Sequence, residues 1–128
     1  MVRAVLPVAL ALGLVAPVAA QDSTTVAVEI AVGRRIVDRL PADTAAAFPA
    51  DVGQLACWTR VTGGAGTAIQ HVWIHGEHEW PVTLEIGGSP WRTWTTKEIQ
   101  PEWTGDWRVE VRDAAGAVLA TARFTVGQ

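Results

Sequence analysis

The sequence predicts an all-β fold, an antiparallel immunoglobulin-like sandwich of about seven strands. Three observations carry this expectation. Apolar and polar residues alternate with period two in several segments, as a half-buried strand requires. Turn-forming clusters separate those segments at short, regular intervals. After the N-terminal leader, no stretch of about 12 residues shows a helical apolar pattern.

The elements follow in order. Val26, Val28, Ile30 and Val32 alternate with Ala27, Glu29 and Ala31, and Gly33 ends this first strand. Arg34 to Asp51 is a longer connection with Pro41, Pro49 and three consecutive alanines, and is expected to include a short helical turn. Leu55–Val61 forms the second strand, closed by the flexible turn Gly63-Gly64-Ala65-Gly66. Ala68–His75 is the third. Pro81–Ile86 is the fourth, with Val82, Leu84 and Ile86 on one face, and Gly87-Gly88-Ser89-Pro90 turns the chain. Trp91–Lys97 is the fifth strand. In the sixth, Trp107, Val109 and Val111 alternate with Arg108, Glu110 and Arg112, so Trp107 is expected in the core. Asp113-Ala114-Ala115-Gly116 is a hairpin turn with glycine at its end. Val118–Val126 returns as the seventh strand, with Phe124 and Val126 inward.

Residues 1–20 read as a secretory signal peptide. Arg3 supplies the positive end, Val5–Ala20 is uncharged and apolar, and Val18-Ala19-Ala20 suits a signal peptidase. At 16 residues the run is short of the roughly 20 that span a bilayer. No cysteine follows it, which argues against a lipoprotein. The expected mature chain, residues 21–128, is one domain's worth, with no membrane span expected in it and a periplasmic or secreted location. Without Arg3 it holds 9 basic and 13 acidic side chains, a formal charge of −4. That mildly acidic balance argues against a nucleic-acid partner. Lys97 is the single lysine, and the abundance of alanine, glycine and valine fits a bacterial genome of high GC content. The single cysteine, Cys57, lies in an apolar run and reads as a buried small hydrophobe. Stability must then come from packing alone.

Several segments carry a resemblance: Phe48-Pro49-Ala50-Asp51-Val52-Gly53, Cys57-Trp58-Thr59-Arg60-Val61 and Ile69-Gln70-His71-Val72-Trp73. They are followed by Trp91-Arg92-Thr93-Trp94-Thr95-Thr96-Lys97 and Gly105-Asp106-Trp107-Arg108-Val109-Glu110-Val111. Over about residues 26–126 the chain resembles the bacterial domain of unknown function 2914. The resemblance implies an exported or membrane-attached domain and supplies no catalytic residues. His75, Glu77 and His78 depart from the pattern, so a site built on them would be peculiar to this chain.

Three groups of residues invite a chemical reading. The first is His71 to Glu79, with three histidines and two glutamates in nine residues. In a strand, residues four apart lie roughly 13 Å from each other, too far to share one metal. His75 and His78, with Glu77, are the alternative metal set, converging across a turn at Gly76. A solvated hairpin tip is the simpler expectation, and no cofactor is expected. His71, inside the strand, is expected to bond to neighbouring backbone or a carboxylate. The second group is the seven tryptophans. Trp107 belongs to the core by alternation. Trp80 and Trp103, beside prolines and turns, are the surface candidates. The third group is Arg92, Trp94 and Thr96, which alternation places on one strand face. With Arg108, and with the hydroxyls of Thr93 and Thr95, they suggest a polar-aromatic binding platform.

No nucleophile elbow, phosphate loop or HExxH motif is present. The sequence therefore points to an exported, non-catalytic interaction module. It would bind a protein or a cell-envelope glycan through Arg92, Trp94, Thr96, Arg108, Trp80 and Trp103. A periplasmic metal-binding protein using the His75–His78 turn is the alternative. A small hydrolase without a recognised motif comes third.

Overall fold

The computed structural model describes residues 25–127, so the expected leader, residues 1–20, lies outside the described residues. The described residues form ten strands. Seven are long: β1 (Ala27–Gly33), β5 (Gln54–Thr62), β6 (Ala68–His75), β7 (His78–Glu85), β8 (Trp91–Glu98), β9 (Gly105–Asp113) and β10 (Val118–Val126). Three are short: β2 (Arg35–Val37), β3 (Leu40–Ala42) and β4 (Ala47–Phe48).

One sheet has the order β4-β10-β9-β6-β7, and the other has the order β1-β5-β8. Long strands pair antiparallel throughout, and only the two-residue β4 runs parallel to β10. The first, second and fifth long strands thus face the third, fourth, sixth and seventh, an immunoglobulin-like division except that the fourth strand pairs with the third instead of joining the first, second and fifth. Trp73, on the third long strand, is fully buried, as the central tryptophan of such folds is.

Alternation builds the core between the sheets. Val32, Leu55 and Cys57 from the smaller sheet pack with Trp73, Trp107, Val109, Phe124 and Val126 from the larger. A second cluster of Val61, Ile69, Ile86 and Val111 fills the other end. Phe124 meets Phe48 and Trp73 edge-on, at centroid distances of 5.9 and 6.3 Å. The exception to the expected pattern is Val82, which stays exposed on β7, the edge strand, while Ile86 is buried.

The connection from Arg34 to Asp51 holds no helical turn. Arg35–Val37 and Leu40–Ala42 instead form a hairpin whose two turn residues, Asp38 and Arg39, both have positive φ, 54° and 65°. That is the backbone of a type I′ turn, usually marked by Asn-Gly, and here it is built without glycine. The alanine run then enters the sheet, with Ala47 opposite Thr125. The predicted turn at Asp113 forms as expected. The Asp113 carboxylate accepts from the Ala115 and Ala117 amides, and Gly116 takes φ 90°.

Candidate interaction face

The outer surface of the three-stranded sheet is laid out by register. Glu29 on β1 lies opposite Arg60 on β5, and Arg60 lies opposite Arg92 on β8. The next outward row is Ala31, Trp58 and Trp94, and the one after it is Gly33, Ala56 and Thr96. Arg92, Trp94 and Thr96 therefore share one face as expected. Trp58, Arg60 and Glu29 join them, and sequence reasoning did not place these there. Alternation alone turns Arg60 outward, but nothing in the sequence tells which strand β5 pairs with.

The β2–β3 hairpin folds over part of this face. The Trp58 indole N–H donates to the Arg39 carbonyl at 2.9 Å, and the Arg39 guanidinium sits 5.7 Å from the Trp94 ring centroid. Both contacts depend on the positive-φ turn at Asp38 and Arg39, a conformation that costs energy for residues other than glycine. Beside the hairpin, Glu29, Leu40, Trp58, Arg60, Pro90 and Arg92 line an open cleft of about 470 Å³. Arg60 reaches Glu29 at 3.8 Å, whereas Arg92 makes no ion pair among the described residues. Two arginines directly opposite each other repel.

Thr93 and Thr95 do not contribute to the face. Both point inward, and Thr95 is consumed in a buried polar chain. Trp73 Nε1–H donates to Thr95 Oγ1 at 3.0 Å, and Thr95 Oγ1 lies 2.9 Å from His71 Nδ1. On the other side, His71 Nε2 lies 3.0 Å from Thr59 Oγ1, which donates to the Thr93 carbonyl at 3.2 Å. Thr59 spends its hydrogen on that carbonyl, so it accepts from His71 Nε2–H. Thr95 then gives its hydrogen to Nδ1, and the neutral Nε2–H tautomer satisfies every member. His71 is structural as expected, but its partners are two threonine hydroxyls of the facing sheet. Burial lowers its pKa to about 4.

Arg108 does not belong to the face formed by Arg92. It lies on the outer surface of the larger sheet, because β9 and β8 are in different sheets. There Arg108 Nε donates to Glu110 at 3.0 Å and Arg112 donates to the other Glu110 oxygen. Arg112 also reaches Glu79 at 3.5 Å. The hydrogen bond from Arg108, reinforced by Arg112, holds the Glu110 carboxyl below the usual carboxylate range despite partial burial. Ile74 and Val72, opposite Arg108 and Glu110 in register, are buried. This lattice covers the middle of the larger sheet's exterior, while Arg123 on β10, opposite Arg108 in register, is exposed and makes no ion pair among the described residues.

Trp80 and Trp103 are half-buried and pack against the core instead of standing free on the surface. Their rings lie 5.5 Å apart, and Trp80 stacks on Trp107 at 5.7 Å. The Lys97 ammonium sits 4.2 Å from the Trp80 ring centroid and 5.1 Å from that of Trp103. Desolvation lowers the Lys97 pKa, opposed by nearby Glu98. His75 and His78 are partners across the tight turn. The His75 ring stacks on Trp107 at 4.6 Å with Nε2 2.8 Å from the Thr104 carbonyl oxygen, and His78 stacks on Trp80. Each imidazole is thus held by aromatic packing, and Glu77 is exposed at the turn. Among the described residues, no group of three potential ligands is arranged to hold a metal. Nor is any helix among them long and apolar enough to cross a membrane.

Residues 66–126 match the model of a family described as "Protein of unknown function (DUF2914)". No curated protein matches the chain. Solved structures with partial similarity include a β-glucosidase from Listeria innocua, at 13% identity and TM-score 0.41 over 80% of this chain. A family 3 β-glucosidase from Bifidobacterium adolescentis shows 14% identity and TM-score 0.37, also over 80%. The chain spans only 16% and 17% of those two enzymes.

Proposed function

We propose that this chain, whose residues 66–126 match the model of the family of unknown function DUF2914, is an exported, non-catalytic binding module. It acts at the cell envelope through the outer face of the three-stranded sheet. One observation carries this reading: Arg60, Arg92 and Trp58 surround an open cleft on that face, while Arg108 and Arg112 of the opposite exterior are tied to Glu110. Arginine and tryptophan dominate binding hot spots, because a planar guanidinium and an indole combine large contact area with directed donors. The exposed Leu40 at the hairpin tip adds an apolar edge. Arg92, Trp94 and Thr96 remain the centre of the site, and Arg60 replaces Arg108 in it.

The test is capture of partners from envelope extract by the mature domain and by its Arg60→Ala and Arg92→Ala variants. Both variants should fold, and each should lose at least about 2 kcal/mol of binding, the usual hot-spot scale. Two folded variants that capture the same partners as the wild type, at the same strength, would remove the reading. Export is checked by mass spectrometry of the envelope fraction, where the N-terminus should lie near Gln21. A full-length cytoplasmic product would contradict it.

A further inference from the structure

We infer that two copies of this chain pair edge to edge through β8, joining their three-stranded sheets into one six-stranded sheet. The argument starts from the edges. β8 is the outer strand of its sheet, and its pairing with β5 runs from Trp91 to Glu98 without a bulge. Among the described residues, no backbone group outside β5 hydrogen-bonds to β8. Proteins usually blunt such an edge with proline, a bulge or short length. The other edges show those devices or are flanked: β7 carries Pro81 at its middle, β4 is two residues long, and β1 lies against β10. β8 has no proline between Trp91 and Glu98, and only Lys97, turned inward, resists pairing.

Register then selects the occupant. A strand added to β8 must keep its faces in phase, because a shift of one residue turns every side chain to the other side. For two antiparallel β8 strands related by a two-fold axis, the paired residue numbers must therefore have an even sum. Glu98 is the only acidic residue of β8, and it shares the outward face with Arg92. It makes no ion pair among the described residues, and neither does Arg92. Placing the axis at Thr95 sets Arg92 opposite Glu98 of the second copy, and Glu98 opposite its Arg92. Trp94 then meets Thr96 of the second copy, and the reverse. No other in-phase register of this strand gives Arg92 a carboxylate. The charge row across each half becomes Glu29, Arg60, Arg92 and the second copy's Glu98, which balances two positive against two negative groups. The surface is self-complementary, as a two-fold interface requires.

The experiment is sedimentation velocity with light scattering on the mature domain and on Arg92→Glu, Glu98→Arg and the double charge swap. Wild type should be dimeric. Each single variant sets like charges opposite each other twice per dimer, so dimerisation should weaken at least about tenfold. The double swap restores both pairs and should recover the dimer, a recovery that damage to folding could not produce. A wild type that stays monomeric at every concentration, or a dimer indifferent to the single variants, would overturn the inference. The readout is mass in solution, so it stands or falls apart from the capture experiment.

Discussion

Lowering the pH from 7 to 4 should remove a defined part of the domain's stability through His71. The imidazole has an ordinary pKa near 6.5 in the unfolded chain. In the fold, burial lowers it to about 4. Its folded value is thus below its unfolded one, so the neutral form is the native one. The unfolded chain takes up the proton first as pH falls, and stability declines between about 6.5 and 4. At 1.36 kcal/mol per unit, the window corresponds to about 3 kcal/mol. That is a large share of the roughly 5–15 kcal/mol of a typical domain. The structure gives the reason. The neutral Nε2–H tautomer accepts from Thr95 and donates to Thr59, whereas a second ring proton would meet the Thr95 oxygen, which Trp73 already supplies with a donor. The assay is denaturant unfolding at stepped pH for wild type and His71→Gln. Carboxylates such as Glu110 titrate in both proteins, so the difference between the two curves isolates the histidine. His71→Gln should be less stable at pH 7, and the gap should narrow as pH falls toward 4. Curves that run parallel across this window would refute the burial of His71 as a neutral imidazole.

Two further outcomes are expected. Trp107→Ala should cost roughly 3–5 kcal/mol, measured by thermal or denaturant unfolding, because the indole is buried among Phe124, Trp80 and Trp103. Cys57 is buried and its thiol is pushed up to about 12, so it should not react with a thiol reagent in the native domain and should react fully once denaturant unfolds it.

Much of the fold was legible because alternation encodes it directly. Ala68–His75 and Val118–Val126 are strands at the bounds their sequence shows, and the inward positions of Trp107, Val109 and Val111 follow from period two. The β2–β3 hairpin was not legible, since its turn places Asp38 and Arg39 at positive φ without a glycine to announce it. Alternation also cannot say which of two sheets a strand enters. Arg92 and Arg108 carry the same outward signal and lie on opposite exteriors. The same limit hid the partners of His71: Thr59 and Thr95 are 12 and 24 residues away and meet it only because the two sheets stack.

The difference between the two exteriors bears on where a partner would bind. On the larger sheet, Glu110 joins Arg108 and Arg112, Glu79 extends the lattice, and Val72 and Ile74 are buried. A partner seated over Glu110 would have to break charge-assisted bonds that are already made, and such bonds are roughly twice as strong as neutral ones. On the smaller sheet, Arg60 and Arg92 face each other with one carboxylate at 3.8 Å, and a strained hairpin holds Arg39 over Trp94. Repulsion between the two arginines destabilises the isolated domain by a few tenths of a kcal/mol to about 1 kcal/mol. A group that supplies the missing acceptor recovers that energy on association. A strained hairpin and two opposed arginines around one cleft, against a Glu110 lattice that ties Arg108 and Arg112 and leaves only the peripheral Arg123 unpaired among the described residues, favour the smaller sheet as the surface that meets other molecules. They also give that preference a measurable sign: Arg92→Ala should raise the melting temperature of the dilute domain while weakening its associations. An Arg92→Ala domain that melts early instead would mean that Arg92 is a structural member of the sheet, and the asymmetry would then say nothing about binding.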